Sequence, residues 1–139
     1  MKKLLLILLL ASSLLASDVT TERKIYAVIV HALLPELQKV KVWCSDRSKE
    51  RIFQAMQGVV CVASQNDADF VLLSENTDIN SQAVKFVTSY KLLLEKNLDA
   101  VGGFFWQKGR PNILFLRKNL QDHHIVLPQS MQEYIEDEL

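Results

Sequence analysis

The stretch that decides the fold runs from Val40 to Leu73 and reads VKVWCSDRSKERIFQAMQGVVCVASQNDADFVLL. Short apolar and β-branched runs at Val40 to Cys44 and Val59 to Ala63 predict two strands, and Arg47 to Gln57 between them predicts a helix. The run Phe70 to Leu73 is uniformly apolar, which is the pattern of a strand covered on both faces. Strands that alternate with helices in this way favour a parallel sheet.

Downstream of this stretch the pattern changes to a hairpin. A fourth strand is predicted at Ala83 to Thr88, and the apolar runs Gly102 to Trp106 and Asn112 to Leu116 then flank a turn at Gly109. Two apolar runs around a glycine turn are typical of an antiparallel β-hairpin. We therefore expect an α/β fold, a three-layer sandwich with a mostly parallel sheet and an antiparallel C-terminal hairpin.

Further helices are predicted outside these strands. Apolar residues at three- and four-residue spacing, or a capping residue followed by such a pattern, indicate them. They lie at Glu22 to Leu34, Tyr90 to Asn97, Arg117 to His124 and Ser130 to Glu138.

Composition limits the classes of function. The chain has 139 residues, of which 49% are hydrophobic and 23% charged, and this is an ordinary globular composition for one domain. Sixteen Lys and Arg residues balance sixteen Asp and Glu residues. A neutral chain offers no bulk attraction for nucleic acid, and we expect no nucleic-acid partner.

The first residues of the chain have the pattern of an export signal. Lys2 and Lys3 precede the apolar run Leu4 to Ala11, and small residues follow at Ser12 to Ser17. This order is typical of a secretory signal peptide. We expect a signal peptide at residues 1–17, a single α/β domain at residues 18–139 and a periplasmic, Gram-negative type of location, with an uncleaved anchor as the alternative.

Motifs for catalysis and cofactor binding are absent from the sequence. It contains no G-x-G-x-x-G, Walker loop, G-x-S-x-G, H-E-x-x-H or C-x-x-C motif. His123 and His124 are adjacent and point in different directions, so they are poorly placed to share a metal ion. We expect no enzyme activity, no cofactor and no metal site, and Asp46 with His31 is the only catalytic pair worth testing against a structure.

The two cysteines, Cys44 and Cys61, lie on the first two predicted strands. An oxidising compartment favours a disulfide between them if the register of the strands brings their Cα atoms within bonding range. The alternative is two buried thiols that act as small apolar residues.

Two turns at one edge of the predicted sheet are candidates for ligand binding. Ser45 and Asp46 follow the first strand, and Thr88 and Ser89 follow the fourth. Open α/β sheets place ligands at the carboxyl ends of their strands, so these four residues could line one pocket. Ordinary helix capping by Ser45 or Asp46 is the alternative.

The hairpin carries the candidate surface for a protein partner. Phe104, Phe105 and Trp106 are consecutive aromatic residues, and Lys108 and Arg110 lie at the tip. Successive side chains of a strand face opposite ways, so one face enters the core and the other is either covered by a helix or presented to a partner. Trp and Arg often dominate protein contacts, which makes Trp106, Lys108 and Arg110 the predicted contact residues.

In this order of segments the chain resembles the YfiR-like family of periplasmic regulators. The matching features are a secretory signal, an amphipathic helix at Glu22 to Leu34, a cysteine-bearing strand at Val40 to Cys44, the Gly-Gly-led hairpin Gly102 to Arg110 and an apolar segment at Ile125 to Leu127. Members of that family are dimers that bind and repress a membrane diguanylate cyclase, and disulfides support their fold.

The resemblance implies a function by contact. It implies a membrane sensor or diguanylate cyclase as the partner, a homodimer, and a match between Cys44 and the first-strand cysteine of the family. We expect a periplasmic non-catalytic module that modulates a membrane signalling protein. The alternative is a small periplasmic solute-binding protein for an anion or a small metabolite.

Overall fold

The computed structural model of the protein describes residues 19–139, and the predicted signal peptide at residues 1–17 lies outside the described residues. Within the described part, seven strands form one sheet in the order β2-β1-β3-β4-β5-β6-β7. The strands are β1 (Val40–Cys44), β2 (Val59–Cys61), β3 (Phe70–Leu73), β4 (Val84–Val87), β5 (Gly102–Gln107), β6 (Arg110–Leu116) and β7 (Ile135–Glu136).

All neighbouring strands of the sheet are parallel except β5 and β6, which form the antiparallel hairpin. The first five strands follow the order 2-1-3-4-5, which is one of the two common orders of doubly wound α/β folds. The predicted mostly parallel sheet with an antiparallel C-terminal hairpin is confirmed.

The helices are short apart from the first. Helix α1 covers residues 19–33. The others are α2 (Glu50–Phe53), α3 (Tyr90–Leu93) and α4 (Arg117–Asp122), with 3-10 turns at Arg47–Lys49, Gln65–Asp67, Lys96–Leu98 and Gln129–Tyr134. Among residues 19–139, no helix combines the length and the apolar character that crossing a membrane requires.

Helix α1 covers one face of the sheet. Its Tyr26 lies against two phenylalanine rings in edge-on or tilted geometry, 5.3 Å from Phe104 and 5.4 Å from Phe53 between centroids. Ile29 and Val30 are fully buried in the same core. Of the residues that the three- and four-residue spacing places on the buried stripe, Ile29, Ala32 and Leu33 are buried, whereas Val28 is 58% exposed. The stripe that packs on the sheet includes Tyr26 and Val30 instead.

The opposite face of the sheet carries a second core. Val71, Leu73 and Val87 point into it, and Leu92 and Leu93 of α3 cover them. The side chains of β3 alternate between the two cores, so all four of its residues are buried. The prediction of a strand covered on both faces is confirmed, and two covered faces make the three-layer sandwich.

The hairpin extends beyond the parallel part of the sheet. Gly102 and Gly103 pair with the last residues of β4, whereas residues 104–107 continue past the end of that strand. The loop consists of Lys108 and Gly109, both with positive φ (52° and 75°), which is the backbone of a type I′ turn. The hairpin end therefore stands above the carboxyl edge of the parallel strands.

The predicted closing helix at Ser130 to Glu138 is wrong. Residues Gln129–Tyr134 form a 3-10 helix, and Ile135–Glu136 form β7, which pairs in parallel with β6. Without β7 the end of β6 would leave its backbone groups unpaired at the sheet edge. This long-range pairing overrides the local capping pattern.

Candidate functional site

The four polar residues predicted to bind a ligand lie at the same edge of the sheet but not side by side. Ser45 and Asp46 follow β1, and Thr88 and Ser89 follow β4. Strand β3 lies between β1 and β4. Two strand spacings of about 4.8 Å separate the two turns, so they form two regions of one edge.

Three of these four side chains accept hydrogen bonds from the backbone. Asp46 caps the turn that follows it by accepting from the Ser48 N–H at 3.0 Å, and Ser89 caps α3 by accepting from the Leu92 N–H at 3.3 Å. The Ser45 hydroxyl oxygen accepts from the Ser74 N–H at 2.8 Å. The structure therefore shows the capping role for Asp46 and Ser89, and ligand binding by the four residues stays a prediction.

The side chain of Ser48 also sets the ionisation of Asp46. Its hydroxyl donates to the Asp46 carboxylate at 2.7 Å, and this bond, with the backbone bond from the same residue, lowers the pKa of Asp46. An ionised carboxylate is the better hydrogen-bond acceptor at the start of a helical turn.

A groove separates the β4 turn from the protruding hairpin. The volume of this groove is about 420 Å³. A larger cleft of about 510 Å³ lies elsewhere, beside the segment that follows α1. The groove is lined by Thr88, Ser89, Tyr90, Phe105, Trp106 and Gln107. Sequence reasoning singled out Thr88, Ser89 and Trp106 but missed Tyr90, Phe105 and Gln107 as lining residues. The signal that could have found them is the length of β5, which exceeds that of β4.

The two aromatic residues at the hairpin end face opposite sides, as the alternation of a strand predicts. The Trp106 ring lies 5.8 Å from Phe104 on the side of α1, and its Nε1 donates to the Glu22 carboxylate at 3.2 Å. Phe105 faces the other side and contacts Tyr90 at 6.0 Å between ring centroids. Trp106 remains 44% exposed.

The charged residues at the tip, Lys108 and Arg110, are exposed. Lys108 lies in the turn itself, and Arg110 pairs with Gln107 at the point where the turn joins the two strands. Trp106, Lys108 and Arg110, called here the hairpin end, therefore combine one anchored aromatic ring with two cations at the turn, and Arg110 shares the face of its partner Gln107, opposite that of Trp106.

Cys44 and Cys61 are free thiols in the structure. Cys61 lies opposite Val42, so Cys44 is displaced from it by two residues along the neighbouring strand. A strand spacing of about 4.8 Å and a rise of about 3.3 Å per residue place such Cα atoms about 8 Å apart, beyond the usual disulfide range. Burial raises the pKa of Cys44 to about 12 and raises that of Cys61, so both thiols are held in the neutral form.

The pair Asp46 and His31 is not assembled into a catalytic site. His31 lies beside Gly58, whose carbonyl accepts from the N–H of Val40 at the start of β1. Asp46 follows the other end of β1. The length of the strand separates the two side chains.

The other two histidines, like His31, lie near the amino-terminal ends of the parallel strands. His123 approaches the Asp99 carboxylate at 3.3 Å, and both His123 and His124 line the larger cleft together with apolar residues of the segment after α1. Among the described residues, no group of three His, Cys, Asp or Glu side chains is arranged to hold a metal ion.

No protein-family model matches this chain, and no curated protein is significantly similar to it. The YfiR-like resemblance therefore stays a prediction from the order of segments and rests on no sequence match.

Proposed function

We propose that the protein is an exported, non-catalytic regulatory module that binds the outer domain of a membrane signalling protein, in the manner of YfiR-like regulators. In this proposal the periplasm is the location, a sensor such as a diguanylate cyclase is the partner, and a homodimer is the working form. The observation that carries the proposal is the hairpin end, an exposed and anchored tryptophan with two exposed cations next to it at the turn.

The anchoring of Trp106 supports a contact role. The Glu22 carboxylate and the Phe104 ring hold the indole on the side of α1, and close to half of its surface stays open. A side chain that is already ordered loses little conformational entropy when a partner covers it. Aromatic and arginine side chains at the centre of a contact contribute most of its free energy.

The charge of the hairpin end indicates the character of the partner surface. Lys108 and Arg110 are exposed, and both lie at the hairpin turn that follows Trp106, where Arg110 pairs with Gln107. Cations at the rim of a contact favour an acidic partner surface and raise the rate of association at low salt. We therefore propose that the partner presents an apolar pocket for the indole with carboxylates beside it.

The test is capture from envelope extracts with the protein purified from the periplasm. The wild type should recover an inner-membrane sensor, and the Trp106→Ala variant should lose it, because the central aromatic contact is removed. Tyr134→Ala is the matched control, since Tyr134 is an exposed aromatic residue on the C-terminal segment.

A cellular measurement accompanies the capture. Deletion of the gene should change the level of cyclic-di-GMP, and complementation with the Tyr134→Ala variant but not with Trp106→Ala should restore it. Recovery of the same sensor by Trp106→Ala, or an unchanged nucleotide level in the deletion strain, would contradict the proposal.

A further inference from the structure

The groove beside the β4 turn has the build of a small-molecule site. Residues 104–107 of β5 run past the end of β4, and the turn from Thr88 to Tyr90 forms the facing wall. The volume of this open groove is about 420 Å³. Pockets for small organic ligands commonly measure about 300–1,000 Å³, so the groove holds one small molecule.

Two aromatic rings give the groove an apolar corner. Tyr90 and Phe105 meet at 6.0 Å with an angle of 66° between the ring planes, and Tyr90 is 44% exposed. Two parallel ring faces would form a slot for a flat aromatic ligand. Rings at this angle form a corner, which suits a thicker ring whose C–H face rests on one aromatic face.

Apart from Trp106, the remaining lining is polar and uncharged. Thr88 and Ser89 contribute hydroxyls and Gln107 contributes an amide, and no charged side chain lines the groove. The Ser89 oxygen accepts from the Leu92 N–H, which leaves its O–H available as a donor. Hydroxyls and amides both donate and accept hydrogen bonds, as sugar hydroxyls do. Arg110 pairs with Gln107 at the rim of the groove but does not line it, so a carboxylate or phosphate inside the groove would lose water without a cation among the lining residues.

We propose that this groove binds a neutral sugar ring. The C–H face of the ring packs on the Tyr90 and Phe105 corner, and its hydroxyls bond to Thr88, Ser89 and Gln107. The Phe105 ring faces away from the Trp106 ring on the same strand, but Trp106 also lines the groove, so the groove adjoins the hairpin end. The inference stands on the groove alone and does not depend on the regulator proposal.

The test is an NMR titration of the exported protein with four probes. These are glucose, N-acetylglucosamine, glucose 6-phosphate and adenosine. Saturable shifts of the backbone amides at residues 88–90 and 105–107 are expected with the two neutral sugars, and weaker binding is expected for the phosphate ester and for adenosine.

Variants separate the groove from general surface effects. Tyr90→Ala and Gln107→Ala should each weaken sugar binding about fivefold or more, while Tyr90→Phe keeps the ring and most of the affinity. Leu94→Ala is the matched control, because Leu94 is an exposed apolar residue at the end of the same helix and outside the groove.

The inference is overturned if neither sugar produces saturable shifts at the groove residues. Tighter binding of adenosine or glucose 6-phosphate than of the neutral sugars would also overturn it, because the ligand class would then be wrong. Unchanged affinity in a folded Gln107→Ala would count against the hydrogen-bonding part, and unchanged affinity in a folded Tyr90→Ala would count against the aromatic part.

Discussion

At the scale of single residues, glycines determine how closely the hairpin approaches its neighbours. A Cβ at Gly102 would overlap the Leu114 carbonyl oxygen and lie 3.0 Å from the Phe86 ring. At Gly109 a Cβ would meet open space, but φ is +75° there. The first glycine is required by packing and the second by backbone conformation.

These two reasons predict different costs for alanine. Gly102→Ala should lower the free energy of unfolding by about 3 kcal/mol or more, because backbone atoms must move apart. Gly109→Ala should cost about 1 kcal/mol, since only the left-handed conformation is penalised. Urea denaturation followed by circular dichroism measures both. Equal losses in the two variants would show that the close approach at Gly102 is misjudged.

The reactivity of the two thiols is also set at the scale of single residues. Cys44 is buried and Cys61 is partly buried, and burial raises the pKa of each, to about 12 for Cys44. Because the thiolate is the reactive form, both thiols should react slowly with a disulfide reagent in the native protein at neutral pH.

Thiol labelling in native buffer and in urea checks this expectation. The native protein should release the reagent's thiol slowly, with Cys61 reacting before Cys44, and unfolding in urea should bring both to the rate of an exposed cysteine. Two thiols that react at the same fast rate before and after unfolding would contradict the burial of Cys44.

At the scale of elements, the C-terminal segment completes the sheet and the first core. Met131 in the 3-10 helix is buried among residues of that core, and Ile135 pairs with Phe115 of β6. Ser130 is exposed, and the N-cap of this 3-10 helix is Pro128. The segment is therefore held by the burial of Met131 and by strand pairing, with no contribution from a serine cap.

Substitutions in this segment distinguish packing from capping. Met131→Ala should lower the free energy of unfolding by about 2–4 kcal/mol, which is the usual cost of truncating a buried side chain of this size. Ser130→Ala should change it by less than about 0.5 kcal/mol, as for other exposed positions. A loss of about 1 kcal/mol in Ser130→Ala would instead support the helix cap that the S-x-x-E pattern predicts.

At the scale of the whole molecule, one chain of aromatic rings spans the face of the sheet under α1. Phe70 of β3 lies 5.9 Å from Phe86 of the neighbouring β4, and Phe115 of β6 lies 6.0 Å from Phe86 across Gly102 of β5. Tyr26 of α1 joins this row through Phe86 and Phe104. No charged residue is buried in the described part of the chain, so the core is uniformly apolar.

An apolar core that contains Tyr26 and Cys44 makes stability depend on alkaline pH. Burial raises the pKa of both groups in the folded protein. The unfolded chain releases these protons at lower pH than the folded chain does, from the ordinary value of 9.0 upward for Cys44. The contribution of these two groups to the free energy of unfolding should therefore be constant below pH 9.0 and should fall as the pH rises toward about 12.

Urea denaturation across this pH range measures the slope, which is at most about 1.4 kcal/mol per pH unit for each group. Tyr26→Phe and Cys44→Ala should each flatten the slope, whatever their effect on the stability at neutral pH. A slope that is unchanged in both variants would mean that these two groups do not control the alkaline transition.

Local patterns were sufficient for much of the architecture. The uniformly apolar run of β3, the alternation around Phe104 and Phe105 and the glycine turn of the hairpin are all properties of neighbouring residues. Each has a direct physical reason in side-chain periodicity or in allowed φ, so the sequence by itself determined the α/β class, the parallel sheet and the antiparallel hairpin.

Tertiary structure decided the features that depend on residues far apart in the chain. The pairing of β7 with β6 replaced the predicted closing helix, the register between β1 and β2 left Cys44 and Cys61 unbonded, and β3 separated Asp46 from Ser89. The groove at Tyr90 and Phe105 exists because β5 extends beyond the end of β4. Strand order, register and relative strand length follow from packing of the whole sheet, and no window of neighbouring residues contains them.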